Sequence, residues 1–345
     1  MDTNERVGES FDYGGVAGSK SHGCGTIQQP TSNIKHPVNS PLRLISFLPA
    51  ATEMACARGL ERQLVGVSHE CDFPTTVRNK PVVVRCALPV ETMTLAEIDV
   101  VVTERMRNGQ SIYEVDQRVV EQLAPTHILT QTLCEVCAPS TGEVARALKA
   151  LPSHPHIFWF TPHCIEDIFE NLRELGAGTG HSDDAEQVIG SLRERLQLVA
   201  EITEKAARRP RVFCLEWIDP YYCSGHWVPE MVHIAGGQDA LGRKGADSVR
   251  MKWEDTAAWA PEILIVSPCG FGTEKAVEQA KRLLQQPGWS ELPAARNGRV
   301  FAVDANAYFA RPGPRVVDGV ELLAHLFHPE LCEWHGPANA FQRMS

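Results

Sequence analysis

The chain has 345 residues and a formal net charge of −10, and 43% of its residues are hydrophobic and 22% charged. This composition is typical of a globular protein, and the length predicts about two domains. The acidic balance argues against a nucleic-acid partner, because binding to phosphates needs clustered Lys and Arg. The sequence has no apolar run of the roughly eighteen residues that a membrane span needs, so we do not expect an integral membrane protein.

Two features of the sequence bear on the cellular location of the protein. Residues 1–40 show neither a basic segment followed by an apolar run nor a small-residue cleavage site. The 11 cysteines of this long chain do not resemble a small disulfide scaffold. Together these features predict a cytoplasmic protein with mostly free thiols. Residues 1–41 are rich in Gly, Ser, Thr, Asn and Pro, which predicts a disordered polar tail.

After this tail, short β-type runs alternate with amphipathic helical patterns, an order typical of parallel sheets with crossover helices. The predicted strands are 42–47, 64–68, 81–84, 127–130, 156–160, 211–216, 263–267 and 300–303. The predicted helices include 51–58, 112–123, 142–151, 229–235 and 275–285.

The segment 183–208 divides the pattern into two halves. It contains no Pro and places one apolar stripe at helical spacing, formed by Val188, Ile189, Leu192, Leu196, Val199 and Ile202. It therefore predicts one helix of about seven turns. The expected fold is α/β, with two Rossmann-like lobes of parallel strands, 42–182 and 209–330, joined by this interlobe helix and followed by a tail, 331–345.

Ligands of parallel α/β sheets bind outside the carboxyl ends of the strands, and unusual residues of the first lobe follow its first two strands. The segment from Ser46 to Glu53 opens a helix whose backbone N–H groups can face an anion; an ordinary strand-to-helix turn is the alternative. The next loop contains His69, Glu70 and Cys71, a density of ionisable groups that favours a ligand-facing loop. His69 and Cys71 are also candidate ligands of a soft or borderline metal.

A C-x-x-C motif follows the fourth predicted strand. Gln131 ends the strand, and Cys134 and Cys137 lie before a predicted helix, whose N-terminus lowers thiol pKa values. Three interpretations stay open: redox or metal chemistry, a ligand-facing wall, and two half-buried cysteines acting as small hydrophobes. With His69 and Cys71, these cysteines are the candidate metal ligands.

Aromatic residues are concentrated after the first strand of the second lobe. The segment 214–230 contains Glu216, Trp217, Tyr222 and Trp227. Such residues suit a large, flat, partly apolar ligand, because aromatic faces give contact area at little entropic cost. Aromatic packing between the lobe and the helix is the alternative.

Two later strand ends complete the candidate wall. Phe271 follows one of them, and Tyr308, Arg311 and Arg315 follow the other. The two arginines, held among prolines and a glycine, either clamp an anion or pair with Glu216 or with Glu230.

Several of these segments together resemble the helical-backbone class of periplasmic binding proteins, in its cobalamin and iron-chelate branch. The matching segments are 43–53, 64–74, 129–131, the interlobe helix and 289–303, so the resemblance covers about residues 42–330. The segments HECD (69–72), CEVC (134–137) and ARPGPR (310–315) are similar to a subgroup usually described as cobalamin-binding.

The resemblance implies a non-enzymatic protein that binds cobalamin or a related metal chelate between the lobes, either for uptake through an ABC permease or for handling inside the cell. It makes Glu53 on one lobe, and Trp217, Tyr222 and Trp227 on the other, candidates for the wall of the site. It also implies a periplasmic location as the alternative to the cytoplasm. The competing hypothesis is a metal- or thiol-dependent enzyme on the same scaffold, with His69, Cys71, Cys134 and Cys137 as its ligands.

Overall fold

The computed structural model describes residues 41–131, 151 and 154–344. Three predicted features lie wholly or almost wholly outside these residues: the polar tail 1–41, the C-x-x-C cysteines Cys134 and Cys137, and the helix 142–151.

The first lobe is built on a sheet whose inner strands follow the predictions closely. Its strands are β1 (Leu44–Ser46), β2 (Leu64–Ser68), β3 (Val82–Cys86), β4 (Tyr113–Val115), β5 (His127–Gln131) and β6 (His156–Phe160). They have the order β4-β3-β2-β1-β5-β6, and neighbouring strands are parallel except for the antiparallel pair β3 and β4.

The helices of this lobe begin at residues suited to that position. They are α1 (Pro49–Ala57), α2 (Leu95–Arg107), α3 (Gln117–Leu123) and α4 (Ile165–Thr179). Proline at the start of α1 loses no intrahelical hydrogen bond. Thr94 and Glu97 form a capping box at the start of α2, in which the Thr94 N–H donates to Glu97 Oε2 at 2.7 Å.

The predicted helix over 112–123 is instead a strand followed by a helix. Val115 of β4 pairs with Val84 of β3, and Asp116 then caps α3 by accepting a hydrogen bond from the Val119 N–H at 3.1 Å. The capping residue therefore starts the helix at Gln117, and the residues before it form an edge strand.

The long helix α5 (Ser182–Thr203) links the lobes and ends five residues before its predicted end at 208. It packs against α4 of the first lobe and against α11 (Val316–Phe327), the last helix of the second lobe. Its apolar stripe, including Ile189, Leu192 and Val199, belongs to the largest hydrophobic core, which contains residues from both lobes. Burial of this stripe ties each lobe to the same helix.

The second lobe has a second parallel-rich sheet. Its strands are β7 (Val212–Ile218), β8 (Tyr221–Cys223), β9 (Gly225–His226), β10 (Arg243–Lys244), β11 (Ile263–Val266), β12 (Val300–Val303) and β13 (Phe341–Arg343). The main sheet has the order β13-β12-β11-β7-β8, with β7, β11 and β12 parallel to one another. Strands β9 and β10 form a separate parallel pair.

Helices cover this sheet and connect its strands. They are α6 (Val228–Ile234), α7 (Trp253–Trp259), α8 (Thr273–Ala280), α9 (Pro293–Arg296), α10 (Ala305–Tyr308) and α11. Short 3₁₀ segments occur in both lobes at Leu60–Arg62, Thr75–Asn79, Val90–Thr92, Lys281–Gln285, Trp289–Glu291 and Ala338–Ala340. The helix predicted over 275–285 is thus α8 followed by a 3₁₀ turn.

The architecture confirms the predicted fold class: two α/β lobes with parallel-rich sheets and one long helix between them. The last part of the chain differs from the expected tail, because Phe341–Arg343 pairs antiparallel with β12 and extends the second sheet.

Candidate ligand-binding cleft

The loops at the carboxyl ends of the parallel strands bring the two lobes into contact. Glu53 lies on α1, directly after β1, and the loop after β2 contains Asp72. From the second lobe, the segment after α10 carries Arg311 and Arg315. These loops occupy the position at which open α/β sheets bind their ligands.

The first interlobe contact is a buried ionic cluster of Glu53, Asp72, Arg311 and Arg315, which we call the buried seam. Arg315 donates to both Glu53 oxygens, at 2.9 and 2.5 Å. Arg311 donates to Asp72 Oδ1 at 2.5 Å and to the backbone oxygen of Glu70 at 3.0 Å. The Glu53 side chain is only 3% exposed, and a carboxylate is retained at such a position only when it is paired.

Neighbouring residues also contact the side chains of the buried seam. The Arg315 guanidinium lies over the Phe73 ring, 4.2 Å from its centroid. Gly313 lies beside Glu53, since a Cβ atom on it would be 3.4 Å from Glu53 Oε2, an ordinary contact distance. Burial raises the pKa of Glu53, and the guanidinium groups of Arg315 and Arg311 oppose that shift.

The second interlobe contact, which we call the α2 bridge, consists of Asp99 and Thr103 on α2 with Tyr222 and Arg250 of the second lobe. Arg250 donates to Asp99 Oδ2 at 2.6 Å and to Thr103 at 3.3 Å. The Tyr222 hydroxyl donates to Asp99 Oδ1 at 3.2 Å and accepts from Arg250 Nε at 2.9 Å. Leu95, the first residue of α2, is buried in a second-lobe hydrophobic cluster. The N-terminal half of α2 therefore docks on the opposite lobe.

A third contact joins the start of α4 to the second lobe. The Ile165 N–H donates to Glu230 Oε2 at 3.0 Å, so a carboxylate from one lobe satisfies a free donor at a helix N-terminus of the other. Glu230 also lies 3.8 Å from Lys244 Nζ. Neither Arg311 nor Arg315 uses Glu216 or Glu230, the partners proposed from the sequence, because Glu53 and Asp72 bind them.

The donor atoms proposed for a metal are engaged in other contacts. His69 Nδ1 lies 3.2 Å from the Val84 oxygen, and the Cys86 N–H points to Nε2 at 3.4 Å, so both ring nitrogens have backbone partners. Cys71 is buried against the Thr52 hydroxyl at 3.1 Å, and burial raises the pKa of its thiol to about 12. Metal ligands are thiolates or free imidazole nitrogens, so this conformation does not favour His69 and Cys71 as a metal pair.

Among the residues that the structure describes, no group of three or more His, Cys, Asp or Glu side chains is arranged to hold a metal ion. Any contribution of Cys134 and Cys137 stays a prediction.

The candidate aromatic residues separate into two groups. Trp217 and Phe271 are partly exposed at the carboxyl end of the second sheet, with ring centroids 5.8 Å apart. Trp227 instead lies in the core, where its indole N–H donates to the Phe309 oxygen at 2.8 Å. Tyr308 is also buried. Trp227 and Tyr308 therefore fit the packing alternative rather than the expected ligand wall, since they already fill space inside the second lobe.

Gln131 and Glu216 lie at corresponding strand ends in the two sheets. Gln131 ends β5 and is buried. Glu216, near the end of β7, accepts hydrogen bonds from the Gly225 N–H at 3.0 Å and from the Ser248 hydroxyl. Burial raises the pKa of Glu216 to about 7. Its two donors hold the second-lobe loop in place, so we assign Glu216 a positioning role at the edge of the cleft.

The sequence reasoning missed the α2 bridge. Asp99 lies in a regular amphipathic helix and Arg250 follows an unremarkable loop, so neither residue type nor spacing distinguishes them. Tyr222 was a candidate for the ligand wall, a prediction that stays open, and its partners in the bridge are 123 residues away for Asp99 and 28 for Arg250.

Comparison with known proteins identifies the family. The model of the family described as "Periplasmic binding protein" matches residues 44–307. The vitamin B12-binding protein of Vibrio cholerae is 26% identical over 283 residues, which are 81% of this chain and 86% of that protein. The ABC transporter substrate-binding lipoprotein YvrC of Bacillus subtilis is 23% identical over 295 residues, covering 84% and 81% of the two chains.

Solved structures show the same fold. A periplasmic heme-binding protein from Pseudomonas aeruginosa has a TM-score of 0.67 at 19% identity, covering 89% of this chain and 99% of that one. The periplasmic vitamin B12-binding protein BtuF of Vibrio cholerae has a TM-score of 0.58 at 22% identity, covering 83% and 96%.

The expected cytoplasmic location is wrong. The family is described as periplasmic and one relative is a lipoprotein, which points to a location outside the cytoplasm. Cysteine usage misled the inference because Cys71, Cys214 and Cys223 are buried and act as small hydrophobes, so they report packing rather than the redox state of a compartment. In the described part of the chain, no helix has the length and apolarity to cross a membrane.

The matched relatives are named as substrate-binding proteins, which confirms the expectation of a binding protein rather than an enzyme. The family model spans most of the chain, and both sheets and the linking helix have the expected arrangement. The chain belongs to the periplasmic binding protein family.

Proposed function

We propose that the protein binds a cobalamin-like corrinoid, or another metal chelate of similar size, in the interlobe cleft and delivers it to an ABC permease. The observation that carries this proposal is the partly exposed pair Trp217 and Phe271 at the carboxyl end of the second sheet. Aromatic faces of this kind suit a broad, flat ligand. The exposed His69 loop lies at the corresponding end of the first sheet.

Charge pairing of the interlobe arginines favours a corrinoid over haem, although Lys275 lies beside the aromatic pair, 5.6 Å from the Phe271 ring centroid. The three arginines of the interlobe contacts are each bound to carboxylates: Arg250 to Asp99, Arg311 to Asp72, and Arg315 to Glu53. Haem carries two propionates, which need unpaired cationic partners when they leave water. The side chains around a corrin ring are mostly amides, which need only hydrogen-bonding partners.

The relatives support the ligand class at a coarser level. One curated relative is named for vitamin B12, and a structural neighbour is named for heme. Both ligands are planar metal chelates, so a chelate is the class that agrees with the aromatic pair and the fold.

The test is an absorbance titration of purified, reduced protein with cyanocobalamin, and separately with haem. We expect a saturable spectral shift with cyanocobalamin and weaker binding of haem. Trp217→Leu keeps an apolar side chain but removes the aromatic face, so it should weaken cyanocobalamin binding about tenfold. The matched control is Trp289→Leu, because Trp289 is also partly buried in the second lobe but stacks on Trp253 at 6.2 Å.

Metal analysis of the untreated protein completes the test. Stoichiometric zinc or iron with no chelate binding would refute the proposal and support the competing hypothesis, in which thiols of the chain bind a metal. Equal effects of the two tryptophan substitutions would show that Trp217 acts only through the stability of the lobe.

A further inference from the structure

A second cavity lies at the opposite edge of the second lobe from the cleft. Its volume is about 620 Å³, within the size range of small-molecule sites. Arg208 and Arg299 line it from segments that precede β7 and β12, and Arg343 lines it from β13. The cavity therefore belongs to the amino ends of the parallel strands, whereas the cleft belongs to their carboxyl ends.

The three arginines come from separate segments and converge on this cavity. Arg299 donates to the backbone oxygens of Leu326 and Phe327, at 2.8 and 3.0 Å, at the end of α11. Arg343 donates to the backbone oxygens of Gly298 and Asn297. These partners are neutral carbonyls, so they orient the guanidinium groups without cancelling their charge.

Only part of the positive charge is balanced by carboxylates. Glu262 binds Arg208, and Glu330 is the one carboxylate among the residues that line the cavity. Burial and the neighbouring cations Arg208 and Arg343 lower the pKa of Arg299. A bound anion would offset the repulsion between these neighbouring guanidinium groups. The local excess of positive charge contrasts with the formal net charge of −10 for the whole chain.

The rest of the cavity wall is apolar and aromatic. Phe301, Phe327 and Phe341 line it together with Leu326, and the rings of Phe301 and Phe341 lie edge to face with centroids 6.1 Å apart. A site that joins aromatic walls to cationic groups matches a ligand with an apolar body and one negative group.

We propose that this cavity is a second binding site, specific for a small organic anion in which a carboxylate, sulfonate or phosphate is attached to an apolar ring or chain. The arginines bind the anionic group, and the phenylalanine side chains cover the apolar body. The proposal concerns a different edge of the sheet and does not rest on the ligand of the cleft.

The probe is 8-anilinonaphthalene-1-sulfonate, whose fluorescence rises in apolar surroundings, titrated into the full chain. We expect saturable binding that is weakened about tenfold in the double variant Arg208→Gln/Arg343→Gln, through the loss of two charged partners. The variant Arg208→Lys/Arg343→Lys keeps both charges and should retain most of the affinity. N-phenyl-1-naphthylamine, the uncharged analogue of the probe, should bind weakly and equally to all variants.

The matched control is Arg193→Gln/Arg282→Gln, which also removes two exposed arginines, both paired with carboxylates as Arg208 is, but outside the cavity. It should leave probe binding unchanged, and thermal unfolding verifies that each variant is folded. Three outcomes would overturn the proposal: no saturable binding, equal binding of the charged and uncharged probes, or loss of binding in Trp217→Leu with none in the cavity variants.

Discussion

The buried seam and the α2 bridge join the same two lobes through arginine–carboxylate pairs, but they differ in their access to water. In the seam, Glu53 is 3% and Arg315 14% exposed; in the bridge, Arg250 is 50% exposed. Removing Arg315 leaves the buried Glu53 carboxylate with one cation at 3.5 Å, whereas water reaches the exposed half of Arg250, although its partner Asp99 is only 13% exposed. Similar pairs therefore differ several-fold in their expected contribution to stability.

This difference bears on the polar contacts alone, because Leu95 also packs the start of α2 into the second-lobe hydrophobic cluster. Exposed hydrogen bonds with few buried neighbours open at low free energy, and buried networks open only with larger unfolding events. We infer that the α2 bridge loosens while the buried seam and α5 keep the lobes in register.

The largest expected effect is at the buried seam. Arg315→Met removes the guanidinium and leaves Glu53 buried with only Arg311 nearby, at 3.5 Å. We expect the free energy of unfolding to fall by about 3–5 kcal/mol, because an uncompensated buried charge is costly. Urea unfolding at neutral pH measures this change.

The control for this prediction is the double variant Glu53→Gln/Arg315→Met. Gln has nearly the shape of Glu without its charge, so the double variant should recover a large part of the stability that Arg315→Met loses. A loss below about 1 kcal/mol in the single variant would mean that the seam behaves like a surface pair, and the comparison would fail.

An intermediate effect is expected at Glu216, which lies inside the second lobe and takes part in neither the buried seam nor the α2 bridge. Burial raises the pKa of Glu216 to about 7 in the folded protein, above its ordinary value of 4.5, which represents the unfolded chain. The folded state therefore holds this proton more tightly, so the contribution of Glu216 to stability falls as the pH rises through this interval and stays low above it.

Glu216→Gln should remove this dependence. The difference in unfolding free energy between the variant and the natural chain should shift in favour of the variant by about 2 kcal/mol between pH 4.5 and pH 7. Thermal or urea unfolding across this range measures the difference, in which the other titrating groups cancel. Parallel stability curves for the two proteins would contradict a raised pKa at this position.

The sequence predicted the sheets better than the contacts between them. The strands at Leu64–Ser68, His156–Phe160 and Val300–Val303 have the predicted bounds. These segments are short apolar runs with turn residues beside them, and their pattern depends on neighbours that are close in the sequence. The strand β13 was missed because it is recognised only by the pairing of Phe341–Arg343 with β12, which is distant in the sequence.

The sequence predicted which loops meet between the lobes, but not which residues pair there. The rule on strand ends grouped Glu53 and Arg311 after the carboxyl ends of their strands, where the structure has them, yet it could not pair Glu53 with Arg315, because they are 262 residues apart in the chain. Residue type also did not separate Trp217, which is partly exposed, from Trp227, which is in the core. Trp217 lies in β7, whereas Trp227 directly precedes α6, where its indole N–H is bound to the Phe309 oxygen inside the lobe.

The smallest effect on stability is expected at the α2 bridge, where it sharpens the contrast with the seam. Arg250→Gln removes the ion pair with Asp99 but leaves the hydrogen bond from Tyr222, so global stability should fall by at most about 1 kcal/mol. The local effect should be larger, and the amides of α2 should exchange faster with deuterium. About 1 M salt should produce a similar change in the natural chain, because salt screens an exposed ion pair. The control is Arg282→Gln, which removes an exposed arginine bound to Asp219 within the second lobe and should leave exchange in α2 unchanged. If Arg250→Gln instead destabilised the protein as much as Arg315→Met, both contacts would have to break in one step, and α2 could not open while the seam stayed closed.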